Sequence, residues 1–375
     1  MTDPASTSLE TYLVSRFPSG SDVPDLVLPA ADEAHVGWWR THLARAGGTA
    51  ESLIAALTQF HIPIGPGAAE SEAYVAAIRR GQPVSSPRTA GEVFAAPERI
   101  VWTIAEHPAG ALPVATFGDR RDFETAYRAL GGRCEPIPVG PDVHALYVSG
   151  LPNPVRLRAM RATFLEAGEP ADAWPEEMRR RRAQDPTSFH DRLVLLHPAP
   201  YAGIPAAAVG LDEAAWMEAS TRLRLEHECT HHATHRLLGE YRLHVHDEVL
   251  ADLMGFTAAL GRFDAGVFLR GLGIGDDDAV ASDGRLWTYV AELDRGAVPE
   301  LVRLLRRVAD AIAAIAPAFV VESDDVEPQV ARVRRGMRLK RLIHLAAFDL
   351  PAIAASEAAP LGVADRGSRD PKGSA

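Results

Sequence analysis

Apolar residues recur at helical spacing near both ends of the chain, and short unbroken apolar runs lie between them. Residues 33–57 and 70–80 carry the helical pattern, separated by Pro63, Pro66 and Gly67. From residue 99 the texture changes. Runs at 99–104, 112–117 and 144–149 read as strands, and residues 122–130 as a helix closed by Gly131 and Gly132. A helix is expected over 155–167, a polar connection over 169–188 and a strand over 192–196, followed by His197 and a loop rich in Pro and Gly. Beyond Asp212 the chain reads as helix throughout, over 212–238, 247–260, 286–315 with a break near Pro299, and 326–347. Gly239 offers a stop for the first of these.

The pattern predicts an α+β protein. It has a helical N-terminal region (1–95), a small α/β region with strands (96–205), a helical half (206–355) and a disordered tail (356–375). A hydrophobic content of 47% and a charged content of 24% fit a globular chain, and no apolar run reaches the length of a membrane span. The net charge of −11 opposes a nucleic-acid binder that works by general electrostatics. Cys134 and Cys229 are the only cysteines, and no basic-then-apolar leader opens the sequence. A cytoplasmic location without structural disulfides is therefore expected. The basic residues are almost all Arg, with Lys only at Lys340 and Lys372, and Asn153 is the one asparagine. The run Arg179 to Arg182 is expected to be a solvated face.

Candidate chemistry concentrates in one place. Six of the 14 histidines fall between His227 and His246. The core of this stretch is His227-Glu228-Cys229-Thr230-His231. On a helix, side chains four apart share a face with Cβ atoms about 5–6 Å apart, so two imidazoles can converge on one ion. Glu228 leaves the helix at a different angle and suits a general base beside the metal rather than a ligand. Glu248 and Asp252 form a Glu-x-x-x-Asp pair on the next predicted helix. Glu248 is the expected third ligand, which leaves a coordination position open, and Asp252 is expected to orient a ligand histidine. His235, one turn past His231, is the substitute ligand should Glu248 fail that role.

His-Glu-x-x-His followed by Glu-x-x-x-Asp resembles the gluzincin (thermolysin-like) zinc metallopeptidases over about residues 225–256. Thr234 and Gly239 fall where that family places Thr and Gly, whereas Asp247 stands where it usually has Asn. The resemblance implies a zincin-like metal-binding half, Zn2+ as cofactor, and hydrolysis of an amide bond in a peptide or small substrate. It also implies that Glu228 takes a proton from the attacking water and that Tyr241, or else His244 or His246, donates to the developing oxyanion. A strand beside the active helix pairs with substrate in such enzymes, and residues 192–196 are the candidate. Two alternatives stay open: a specialised biosynthetic or peptide-maturation metalloenzyme with one small substrate, and a structural metal site in a partner-binding protein. Neither a nucleic-acid partner nor a membrane is expected.

Overall fold

The computed structural model describes residues 7–14, 17, 26–239, 243–321 and 327–356. By its internal contacts the chain divides into two compact units, one of residues 29–233 and the other of residues 1–28 and 234–375. The expected boundary near residue 95 does not delimit a unit. The helices Ala34–Ala46 and Ala50–Ala56 pack on the sheet and supply part of the apolar cover its face needs. The expected disordered tail lies outside the described residues, apart from Ser356.

The first unit is built on a four-stranded sheet, β1 (Ile100–Ala105), β2 (Leu112–Phe117), β3 (Ala145–Pro152) and β4 (His190–Leu196), in the order β1-β2-β4-β3. β1 pairs antiparallel with β2, β2 parallel with β4, and β4 antiparallel with β3. Trp39, Phe60, Trp102, Phe117 and Phe123 fill the core beneath it. Asp191 in β4 is a buried hub. It accepts hydrogen bonds from Trp39 Nε1 (2.8 Å), Asn153 Nδ2 (2.7 Å) and Arg156 Nε (2.7 Å). Asn153 works in two directions, because its Oδ1 also accepts from the Arg156 amide and caps the helix Pro154–Glu166.

The polar connection expected over 169–188 contains a helix, Trp174–Gln184. Pro175 sits in its first turn, and Glu177 binds Arg180 and Arg181 one turn on, so charge pairing stands in for an apolar stripe. The helix expected over 286–315 is two pieces, Leu286–Tyr289 and Val298–Ile315. Pro299 stands in the first turn of the second piece, where its missing N–H costs nothing.

In the second unit, Val298–Ile315 buries Leu301, Val302, Leu305, Val308 and Ile312. The helix Val245–Leu260 is buried along its length from Val245 to Thr257, its polar and charged residues His246, Asp247, Glu248 and Asp252 included. Arg338, on the helix Pro328–Ala346, donates to the Met254 carbonyl and to Thr257 Oγ1.

Candidate metal centre

One helix, Glu213–Leu238, carries the His-Glu-x-x-His segment. Gly239 ends it with φ near +74°, a left-handed conformation that glycine adopts without strain, and its N–H donates to the His235 carbonyl. His227 and His231 are buried with their Nε2 atoms 3.1 Å apart and their rings nearly perpendicular, at 82°. Two imidazole nitrogens at about 2.0–2.1 Å from a tetrahedral zinc stand about 3.3 Å apart, so the pair already has close to the spacing of two ligands.

Ligand atoms of His227, His231 and Glu248 all lie within 4.8 Å of one another, and all three residues are buried. His235 is not in that group. Buried carboxylates need partners. Arg285 Nη2 donates to Glu248 Oε2 at 3.0 Å and stands 3.8 Å from Asp252 Oδ2. Tyr289, part-buried and with its hydroxyl pKa pushed well up by desolvation, accepts from Arg285 Nε at 3.1 Å. Two carboxylates and one guanidinium sum to one negative charge. That charge suits a divalent cation. Sequence reasoning missed Arg285. It lies 37 residues beyond Glu248 in a segment without periodicity, so no local signal announced it.

Glu228 is also buried, and its Oε2 accepts a 2.7 Å hydrogen bond from the Tyr147 amide of β3. β3 is an edge strand, and Tyr147 turns its N–H away from β4. The expectation that residues 192–196 form the free strand beside the helix is corrected here. β4 is interior, with β2 on one side and β3 on the other, so its ladder groups are already paired. The sequence pattern could not separate the two, because both strands read as short apolar runs.

The oxyanion candidates fare differently. Tyr241 lies outside the described residues. His244 caps the helix Val245–Leu260: its Nδ1 accepts from the His246 amide and its Nε2 meets the Tyr12 carbonyl at 2.9 Å. Both nitrogens are thus engaged in holding structure, which corrects the expectation that it serves an oxyanion. His246 is buried against Phe17, and burial lowers its pKa to about 3. His232 is fully buried with its Nδ1 3.4 Å from the Tyr147 hydroxyl. The thiols of Cys134 and Cys229 are free and buried, and desolvation pushes their pKa values up, Cys134 to about 12, so neither is a reactive nucleophile.

A family model described as "Family of unknown function (DUF7005)" matches residues 1–357. The chain belongs to the DUF7005 family. No curated protein and no solved structure matches it. The match runs through both compact units of this DUF7005 chain, so the His-Glu-x-x-His helix and the Glu248 helix both fall inside the family's span. Among the described residues, no helix of the DUF7005 protein is long and apolar enough to cross a membrane.

Proposed function

We propose that this protein is a zinc-dependent hydrolase of peptidase type, with His227, His231 and Glu248 as ligands and Glu228 as general base. The convergence of two imidazoles and a carboxylate in a buried setting carries the reading. Zinc held there would supply Lewis-acid polarisation of an amide carbonyl and a lowered pKa for water. The remaining chemistry belongs to the chain. Glu228 is fixed through Oε2 by the Tyr147 amide, and a carboxylate has lone pairs to spare, so Oε1 can take the proton of the attacking water and pass it to the leaving amine. Arg285 orients Glu248 through Oε2, and the fixed Tyr289 hydroxyl orients Arg285. In this reading the metal-binding half is zincin-like.

One observation favours a second reading. The Glu228–Tyr147 hydrogen bond fastens the helix to the sheet edge, and a purely structural metal site would need no more of Glu228 than that. Elemental analysis of protein purified without added metal, followed by cleavage of a peptide library with and without chelator, tests the proposal. About one zinc per chain with chelator-sensitive cleavage is expected. Zinc without turnover leaves the structural reading, and absence of zinc after dialysis against it removes both.

A further inference from the structure

His144, just before β3, and His197, just after β4, form a second cluster that shares no residue with the metal centre. The two strands are antiparallel neighbours, so their ends bring the rings together. The His197 amide donates to the His144 carbonyl at 2.8 Å, and the rings stack with centroids 5.3 Å apart and planes 29° apart. Both rings are half-buried. Arg224, one turn before Glu228 on the histidine helix, donates to the carbonyls of Ala199 (2.5 Å) and Pro200 (2.7 Å) and so fixes the loop that follows His197. Arg120 ties down the segment preceding His144, donating to the carbonyls of Gly140 (2.7 Å) and Val143.

Each ring has one nitrogen committed, and the partner dictates the tautomer. His144 Nδ1 lies 3.1 Å from Arg120 Nη1. A guanidinium only donates, so Nδ1 accepts and the ring proton of neutral His144 is on Nε2. His197 Nδ1 lies 2.8 Å from the Phe117 carbonyl oxygen, which only accepts. Nδ1 therefore carries the proton of neutral His197, and its Nε2 presents a bare lone pair. Among the described residues, no hydrogen bond is made by either Nε2. Both rings are held neutral. Desolvation, with the positive charges of Arg224 and Arg120 behind it, lowers the pKa of His144 to about 3. His197 is lowered chiefly by desolvation, which the Phe117 carbonyl opposes, and the charges of Arg120 and Arg224 add to the lowering against Asp119.

The result is one ring nitrogen that donates and one that accepts, on rings stacked with centroids 5.3 Å apart. A metal ion is a poor occupant, because His144 Nε2 has no lone pair to offer. A carboxylate is also a poor occupant, because it would meet one donor and one lone pair. We propose that His144 and His197 form a subsite for an amide whose C=O and N–H lie on the same edge, a primary carboxamide or a cyclic cis amide, with the carbonyl oxygen on His144 Nε2 and the N–H on His197 Nε2. A trans secondary amide points these two groups in opposite directions and cannot satisfy both rings. None of the metal ligands takes part, so the subsite stands whether or not zinc binds.

Long-range 1H–15N spectra of the full chain, labelled at the histidine rings and run at pH 7 without metal, test the subsite. Ring signals are assigned with His144→Gln and His197→Gln. Opposite tautomers are expected, with Nε2–H for His144 and Nδ1–H for His197. Titration with 2-pyrrolidone or acetamide should move both Nε2 signals. N-methylacetamide should bind about tenfold more weakly, as expected for one neutral hydrogen bond lost, and acetate should leave both signals in place. The proposal is overturned if both rings share one tautomer, if acetate acts as acetamide does, or if the cis amide moves neither signal. The tautomer reading uses the parent protein alone, so it survives a variant that fails to fold.

Discussion

In the proposed hydrolase Glu228 has two separable jobs, and two substitutions at the one residue divide them. In Glu228→Gln the side-chain oxygen still accepts from the Tyr147 amide, but the basicity is gone. Zinc content and Tm should match the parent, while turnover falls by about 10²–10⁴-fold. Glu228→Ala also removes this acceptor from the buried Tyr147 amide, which costs about 1–3 kcal/mol and should appear as a lower urea midpoint. A Gln variant that holds zinc and keeps full activity would remove the general-base role. Arg285 offers a second test at this scale. Its guanidinium is a cationic neighbour of Glu248 and Asp252, so Arg285→Met raises the repulsion between the two buried carboxylates in the metal-free protein. Metal-free stability should fall by about 1–3 kcal/mol, the arginine being partly solvated. A divalent cation neutralises that repulsion. Added zinc should therefore raise Tm more in the variant than in the parent, and differential scanning fluorimetry with and without zinc measures both. An equal or smaller rise would mean that zinc does not sit beside these carboxylates.

Among the elements, β4 depends most on one polar group. Arg156 and Asp191 are almost wholly buried and bonded at 2.7 Å. Arg156→Met leaves the carboxylate with Trp39 and Asn153 but no counter-charge, and should cost about 3–5 kcal/mol in denaturant unfolding. A loss below about 1 kcal/mol would show that the two neutral donors suffice. This element also shows what was legible in the sequence. β2 was expected at 112–117 and is found over those residues, because its limits are set by local turn chemistry. The pairing of His227 with His231 was legible because helical spacing alone decides which side chains of one helix share a face. The order of the strands was not legible: whether 192–196 is central or an edge depends on pairings with distant segments. The helix Trp174–Gln184 was missed because Glu–Arg pairs, not apolar periodicity, hold it. Arg285 and the His144–His197 pair were out of reach for the same reason as the strand order. Tertiary contacts create them, and no motif spans the intervening chain.

For the molecule as a whole, buried neutral histidines set the response to acid. Burial lowers His35 to about 4, and Arg156 and Arg192 add to this against the opposing pull of Asp191 and a backbone hydrogen bond. Burial likewise lowers His246 to about 3. The unfolded chain takes up these protons near pH 6.5, and the folded chain refuses them. Their stabilisation is therefore complete above about pH 6.5 and is lost as pH falls toward 4 and below. At pH 5 each contributes a loss of about 2 kcal/mol. Urea midpoints between pH 7.5 and 5 should fall accordingly, and His246→Leu should flatten its share of the slope. A profile that is level over this range in the parent would mean that neither ring is held neutral.

The position of β4 has a consequence for synthesis. It is the last of the four strands to leave the ribosome, yet it lies between two that precede it. Until residue 196 emerges, β1 and β2 can form a hairpin, but β3 has no partner and the inner edge of β2 is open. The Asp191–Trp39 hydrogen bond, spanning 152 residues, closes in the same event. Sheet completion is thus a late insertion rather than a growth outward from the hairpin, and such non-local pairing is slow. Exposed strand edges invite pairing between chains while it waits. In the cell, the nascent polypeptide is most vulnerable to aggregation in the interval between the emergence of Pro152 and that of Leu196, when a chaperone that shields extended apolar segments has the most to protect.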